Sequence, residues 1–255
     1  MKTVFSSLFL CFSLFSVLPT PKAAWEKASM RYLLCCLPLV GGVIGFALLL
    51  WGRLCALLEL GSLLTAAGIT LIPLLLSGGI HLDGFCDTVD ALASHAPPER
   101  KRSILKDPAA GAFAVIYLAA YLLCYTALAS EIQNLRLAAI LPLCSRSVGA
   151  LAGICLPSSG GSGLLSTFRS GADRRGTVIL GVWCAVGLGL LVRQDLWCGI
   201  FCSLAAALCF FSVKRIARRE FGGMSGDLAG FCICITELAL LAAMTLAERL
   251  MTVWF

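Results

Sequence analysis

Residues 110–129 read AGAFAVIYLAAYLLCYTALA, a stretch of 20 residues that contains no charged side chain. A helix of this length crosses the hydrocarbon core of a bilayer, because the core is about 30 Å thick and a helix rises about 1.5 Å per residue. Other apolar runs of suitable length are residues 33–51, 55–76, 137–156, 177–192, 196–213 and 228–247. The pattern predicts an all-α fold, a polytopic bundle of transmembrane helices.

The composition supports a membrane protein. Of the 255 residues, 59% are hydrophobic and 13% are charged, and the mean hydropathy is +0.93. A soluble protein has too little interior to hide that much apolar surface, which disfavours a soluble fold with an unusually rich core. The 14 cysteines form no C-x-x-C pair. Their scatter indicates that the cysteines serve as small packing residues and do not bind zinc or an iron–sulfur cluster. So many free thiols also suggest that the active face of the protein lies in a reducing compartment.

The N-terminal segment predicts one further, shorter membrane helix. A basic residue, an apolar run over residues 4–18 and a proline-containing segment resemble a secretory signal. However, Pro19, Pro21 and Lys22 stand where a cleavage site needs small residues. We therefore expect the helix to remain, either spanning or re-entrant. The bundle then has about seven to eight membrane helices in a single integral-membrane domain over residues 1–255.

The charged residues are concentrated in four longer loops, residues 19–32, 77–109, 157–176 and 214–227. These loops hold 14 of the 20 lysine and arginine residues. Two predicted helices separate each loop from the next, so all four lie on one side of the membrane. The positive-inside rule predicts that this side is cytoplasmic, in a bacterial inner membrane. Topology alone accounts for the basic residues, but it does not account for the acidic residues that share this face.

The most informative acidic residues lie in the segment HLDGFCDTVD, residues 81–90. Asp83, Asp87 and Asp90 are four and three positions apart, which places them on one face of a helix. Clustered carboxylates repel one another unless a cation lies between them, and Mg²⁺ needs only one or two carboxylates when it also binds phosphate. The alternative is an exposed acidic helix face paired with residues 100–102. Beside this stripe, His81 is a candidate base, phosphate contact or metal ligand.

Further candidate positions lie in three other segments. A glycine-rich turn over residues 222–226 allows close approach of a phosphate, and Asp227 after it is either a metal ligand or a helix cap. An arginine within an apolar run, Arg146, either contacts phosphate or pairs with Glu237. The predicted substrate-binding residues are Gly78, Gly79, Lys106, Asp107, Ser145, Arg146, Gly222, Gly223, Ser225 and Gly226.

Several of these segments resemble one known family. Residues 78–90, GGIHLDGFCDTVD, closely resemble the G-G-x-H-L-D-G-x-x-D-T-x-D signature of the cobalamin synthase family, the adenosylcobinamide-GDP ribazoletransferases. The K-D-S-R-x-G, S-R and G-G-x-[ST]-G-D segments of that family have counterparts in the same order at residues 106–111, 145–146 and 222–227. Residues 108–109 are Pro-Ala where the family has Ser-Arg, so a phosphate contact from that arginine is not expected.

The resemblance implies an enzyme of late cobalamin biosynthesis. Such an enzyme transfers the adenosylcobinamide-phosphate moiety from adenosylcobinamide-GDP to α-ribazole or its 5′-phosphate, releases GMP and depends on Mg²⁺. The partners are then these two substrates and membrane lipid, with no nucleic acid, and the existence of a homo-oligomer stays open. The expected catalytic residues are Asp83, Asp87, Asp90 and His81, and the expected metal ligands are Asp83, Asp87, Asp90 and Asp227.

Two other functions also use acidic residues within a membrane bundle. A CDP-alcohol phosphotransferase also uses aspartates in a membrane bundle, but its D-x-x-D-G-x-x-A-R arrangement is not present in the chain. A cation or metabolite transporter places its carboxylates at mid-membrane depth, whereas this acidic stripe lies in a region predicted to join two membrane helices.

Overall fold

The computed structural model describes residues 2–21, 25–159, 164–171 and 174–254, and the described part is helical. The longer helices are α1 (Lys2–Phe15), α3 (Leu37–Leu57), α4 (Ser62–Leu76), α5 (Ile80–Ala93), α7 (Ala112–Ser130), α9 (Leu141–Cys155), α11 (Arg174–Gln194), α12 (Leu196–Glu220) and α13 (Gly226–Trp254). The shorter helices are α2 (Lys27–Met30), α6 (Pro98–Ile104), α8 (Leu135–Ala138) and α10 (Leu164–Gly171), with a 3-10 turn at Leu34–Cys36.

The number of membrane helices agrees with the prediction. Six helical segments in the described part are long and apolar enough to cross a bilayer, and the pair formed by α4 and α5 makes a seventh if it is counted as one broken span. The helix α1 is apolar and has only 14 residues. The prediction of a polytopic all-α bundle with a short N-terminal helix is confirmed.

The break between α4 and α5 sets the direction of the acidic helix. Pro73 lies inside α4 near its C-terminal end. The next two glycines adopt left-handed φ values, +65° at Gly78 and +77° at Gly79, which glycine accepts without a Cβ clash. The axes of α4 and α5 consequently differ by 93°. The helix restarts at Ile80 and ends at Ala93, before the Pro97–Pro98 pair.

Helix α13 is the centre of the bundle and packs against α5, α9 and α12. Small residues allow the close contacts, as is usual between membrane helices. In α3, for example, Gly41 and Gly45 face the backbone of α9 and the segment before it, at Pro142 and Ala139, so closely that a Cβ atom would collide there. Most of the large apolar side chains that remain exposed lie on α3, α4, α7, α11 and α12, where we expect lipid to cover them.

The charged segments meet at one end of the bundle, as the loop pattern predicts. Lys101 of α6 forms an ion pair with Glu220 at the end of α12. The guanidinium of Arg102 donates to the carbonyl of Phe221 at 3.1 Å. Met224 donates its backbone N–H to the carbonyl of Pro157 at 2.7 Å. These contacts join the described parts of three of the four charged loops into one face.

Two boundaries differ from the prediction. The apolar run over residues 55–76 is not a single helix, because α3 continues to Leu57 and α4 begins only at Ser62. The basic residues from Lys214 to Arg219 belong to the last turns of α12, which continues to Glu220, and not to a loop that begins at residue 214. No glycine or proline lies between Lys214 and Gly222. Cations are also favourable at the C-terminal end of a helix. The helix therefore extends beyond its apolar part.

Candidate active site

The site begins where α5 and α13 touch backbone to backbone. A Cβ atom on Gly84 of α5 would lie 2.8 Å from the carbonyl oxygen of Asp227, and one on Gly230 of α13 would lie 2.9 Å from the carbonyl oxygen of His81. Because neither helix has a side chain at these crossing points, the helices approach closely. The contact brings the acidic face of α5 beside Asp227 at the start of α13.

Substituting Gly84 tests this contact. We expect Gly84→Ala to lower the free energy of unfolding by about 1–3 kcal/mol, because the added methyl group must push two backbones apart. The measurement is detergent-induced unfolding of the purified protein. Gly189→Ala in α11 is the matched control, since nothing lies within 4 Å of a Cβ atom there, and it should be neutral or slightly stabilising. Equal stability of the two variants would contradict the close packing of α5 and α13.

The acidic residues gather at a large cavity, which we call the main cavity. It has a volume of about 530 Å³, and both Asp83 and Asp227 line it. Asp87 is within electrostatic reach of Asp83, Asp90 and Asp227. The carboxylate of Asp90 lies directly against Gly111, where a Cβ atom would collide with it. The helical stripe is therefore present, but Asp90 lies against the segment that begins α7, and Asp227 is the partner of Asp83 at the cavity.

Basic and hydroxyl-bearing residues complete the polar end of the main cavity. Arg102 and Lys106 lie on its wall, together with Ser158 and Ser225. The hydroxyl of Ser225 accepts a hydrogen bond from the N–H of Leu228 at 3.2 Å. Ser225 therefore caps the first turn of α13, and its hydroxyl also donates a long hydrogen bond to the carboxylate of Asp227 at 3.5 Å.

Much of the remaining lining of the main cavity is apolar. It comes in part from the end of α1, the 3-10 turn with the start of α3, and α10; the apolar residues of these segments are Leu14, Phe15, Leu34, Leu37, Leu165 and Phe168. A cavity lined by both charged and apolar side chains is suited to an amphiphilic ligand. The N-terminal helix contributes directly to this apolar lining.

His81 stands between two cavities. It lines the main cavity and also a smaller one of about 40 Å³, which we call the inner chamber and whose polar residues are Thr70, Ser77, His81, Tyr121, Tyr125, Arg146 and Glu237. The imidazole stacks on Phe15 with ring centroids 5.8 Å apart. Its Nε2 atom is buried and has no hydrogen-bond partner within the described ranges.

Arg146 is buried on α9 and forms an ion pair with Glu237 of α13. Glu237 also accepts hydrogen bonds from the hydroxyls of Ser145 at 2.8 Å and Tyr125 at 3.2 Å. Of the two alternatives for Arg146, the structure shows the pairing with Glu237. Contact of Ser145 and Arg146 with a substrate stays a prediction, and neither residue lines the main cavity.

The remaining candidate residues divide into two groups. Lys106, Ser225 and Gly226 are on the wall of the main cavity. Residues that support nearby turns or lie outside that wall are Gly78, Gly79, Asp107, Gly222 and Gly223. The sequence analysis did not identify Arg102 and Ser158 as residues of the cavity wall. The pattern of residue types carried no signal for either one.

Residues 7–245 match the family model described as cobalamin-5-phosphate synthase. The chain belongs to this family. Three similar proteins are each named adenosylcobinamide-GDP ribazoletransferase. The one from Lachnoclostridium phytofermentans is 40% identical over 249 residues, 95% of this chain and 94% of its own length. The one from Pseudomonas syringae pv. syringae is 34% identical over 217 residues, 82% and 86% of the two chains. The one from Clostridium botulinum strain Alaska E43 is 31% identical over 242 residues, 93% and 96% of the two chains.

No solved structure matches the chain. The resemblance seen in the sequence motifs is confirmed by the cobalamin-5-phosphate synthase match, which covers most of the chain. The four ordered motifs of this family member lie on α5 with the turn before it, on the segment before α7, on α9, and on the turn that leads into α13. Three of the four border the main cavity, and the motif on α9 does not.

The donor set of this family member suits Mg²⁺ only in combination with a phosphate. Across the part of the chain that the structure describes, no three His, Cys, Asp or Glu side chains form a metal site by themselves. Mg²⁺ keeps several waters and often takes one or two carboxylates plus phosphate oxygens. Asp83 and Asp227 offer such oxygens at one cavity. No ion pair with Lys or Arg neutralises either carboxylate among the described residues.

Proposed function

We propose that this protein is an adenosylcobinamide-GDP ribazoletransferase. It transfers the adenosylcobinamide-phosphate moiety to a hydroxyl of α-ribazole, or of its 5′-phosphate, and releases GMP. The observation that carries the proposal is the pair of carboxylates, Asp83 and Asp227, at one cavity that basic and apolar side chains also line. The relatives that bear this name align with nearly the whole chain, which supports the same reaction.

The reaction proceeds by direct transfer. The oxygen of the acceptor hydroxyl attacks the phosphorus nearer to cobinamide, the bond from that phosphorus to the bridging oxygen breaks, and GMP leaves with that oxygen. Arg102 and Lys106 stabilise the negative charge on the phosphates from the cavity wall. A carboxylate of the cluster or His81 accepts the proton of the hydroxyl. Serine and glycine backbone groups at residues 225–226 hold the phosphates in place.

Magnesium is proposed as the cofactor. Asp83 and Asp227 would hold it, with Asp87 within reach and Asp90 at the edge of the set beside Gly111. When bound, the ion supplies positive charge that neutralises the diphosphate and the leaving GMP.

The apolar wall supports the choice of acceptor. The base of α-ribazole is an uncharged, methylated aromatic ring system, and Leu165 and Phe168 offer a surface of the same kind. We place the active face in the cytoplasm of a bacterial cell, with the bundle in the inner membrane. The clustering of basic residues at the end of the bundle that carries the main cavity supports this placement.

A product assay tests the proposal. The purified protein in lipid nanodiscs is mixed with adenosylcobinamide-GDP, α-ribazole and Mg²⁺, and we expect GMP and the joined corrinoid product in equal amounts. EDTA should stop GMP release and excess Mg²⁺ should restore it. Turnover that persists in EDTA would remove the metal from the proposal. CMP release from a CDP-alcohol, or substrate flux into liposomes without GMP, would replace the proposed function by one of the two alternatives.

A further inference from the structure

The inner chamber behind His81 is polar, although it lies among membrane helices. It is lined by Ser77 and by residues of α4, α5, α7, α9 and α13. Its volume of about 40 Å³ is room for about three or four water molecules, since one water needs about 10–15 Å³ when volume is measured in this way. The chamber is too small for a nucleotide, and its lining offers donors and acceptors that water can satisfy.

Two buried nitrogen atoms at this chamber lack partners. His81 is 5% exposed and Arg146 is 2% exposed. Neither His81 Nε2 nor Arg146 Nε makes a hydrogen bond to any residue that the structure describes. Buried polar groups are normally paired with protein or with ordered water, because an unpaired group loses its hydration without compensation. A water molecule is able to pair with either atom, since the Nε–H of Arg146 donates and an imidazole nitrogen donates or accepts.

The Arg146–Glu237 pair is a rigid base for such a water cluster. Both carboxylate oxygens of Glu237 are engaged, one by Tyr125 and the other by Ser145 and Arg146. The guanidinium is consequently held in one orientation. His81 is the polar residue that reaches from this chamber to the main cavity, which it shares with Asp83.

We propose that ordered water in the inner chamber joins His81 Nε2 to Arg146 Nε, so that the Arg146–Glu237 pair sets the orientation of the His81 imidazole at the main cavity. Arg146 and Glu237 are then positioning residues that act through water and do not touch the substrate. The presence of the water stands independently of the reaction. Its effect on turnover rests on the proposed function, because that function gives His81 a role beside the substrate.

Nuclear magnetic resonance tests for the water without any substrate. The chain has two histidines, and His95→Asn leaves His81 as the single one; Asn suits the positive φ of 50° at position 95. With ¹⁵N-labelled histidine and the protein in lipid, we expect polarisation transfer from water to His81 Nε2. Absence of transfer to this nitrogen would overturn the proposal.

A chamber-filling substitution separates this water from water in the main cavity. Ser77 lines the chamber and donates its hydroxyl to the carbonyl of Leu74, three residues earlier, at 3.2 Å. Ser94 is the matched control, because it also ends a helix and donates to the carbonyl of Ala91, three residues earlier, at 2.7 Å, but it is exposed. We expect Ser77→Val, and not Ser94→Val, to reduce the transfer at least about twofold by removing room for water. Equal transfer in the two variants would overturn the proposal.

The same variants test positioning in the ribazole-transfer assay. We expect Ser77→Val to lower kcat roughly tenfold to a hundredfold through misorientation of His81, while the KM for both substrates changes less than about twofold. Ser94→Val should leave both constants unchanged. Arg146→Lys keeps a cation for Glu237 but has no Nε, so it provides a second variant with the same expected loss of kcat. An unchanged kcat in a folded Ser77→Val or Arg146→Lys protein would overturn the positioning role. A wild-type protein that releases no GMP would instead refute the proposed function, and it would leave the resonance result intact.

Discussion

Asp83→Asn is expected to lower GMP release by about a hundredfold to a thousandfold while the protein still inserts and folds. The substitution keeps the size of the side chain and removes its charge. Asp83 is exposed to the main cavity and has no ion pair with a Lys or Arg side chain in the described part of the chain. Its charge is therefore free to act on a cation and a diphosphate, and loss of one such electrostatic contact has an effect of this size. The measurement is GMP release at saturating substrate and Mg²⁺.

Two comparisons make the Asp83 prediction specific. Asp195→Asn is the matched control, because the Asp195 side chain caps α12 by accepting from the N–H of Cys198 at 2.7 Å and Asn caps a helix equally well. It should retain full activity. Asp227→Asn should resemble Asp83→Asn, whereas Asp90→Asn should lose less, since Asp90 lies against Gly111 and does not line the main cavity. If Asp83→Asn kept more than about a tenth of wild-type activity, the acidic cluster would not be the phosphate and metal site.

Glu237→Gln is expected to lower the free energy of unfolding by about 3–5 kcal/mol. The side chains of Arg146 and Glu237 are only 3% and 4% exposed. Removing the negative charge leaves a buried guanidinium without its counter-charge, which is the costly way to break a buried ion pair. The measurement is unfolding of the purified protein by increasing fractions of a denaturing detergent, followed by circular dichroism.

The control for Glu237 is another ion pair of the same residue types. Arg249 and Glu131 are 53% and 50% exposed, so Glu131→Gln should cost less than about 1 kcal/mol, because solvent already screens that pair. A double substitution, Arg146→Met with Glu237→Leu, should recover much of the lost stability but not the activity, since it removes both charges together. If the two single Glu→Gln variants were equally stable, the Arg146–Glu237 pair would not be the buried contact that the structure shows.

Many features of the fold follow from neighbouring residues and were predictable. The length and apolar character of residues 110–129 predict a helix that spans the bilayer. The observed helix is Ala112–Ser130. The glycines at 78–79 end one helix and permit the sharp turn into the next. The spacing of Asp83, Asp87 and Asp90 places them on one helix face because α-helical geometry repeats every 3.6 residues.

The sequence by itself determined the class of fold, the position of the break before α5, the acidic face of that helix and, through ordered motifs, the family. Only the tertiary structure decided that Asp227 faces the main cavity beside Asp83, that Arg146 pairs with Glu237, and that Arg102 reaches the cavity wall. The physical reason is distance along the chain. Helical periodicity and turn preference act over a few residues, whereas these arrangements bring together residues more than 90 positions apart in all three cases. The approach of Asp83 and Asp227 also depends on Gly84 and Gly230, which allow α5 and α13 to touch.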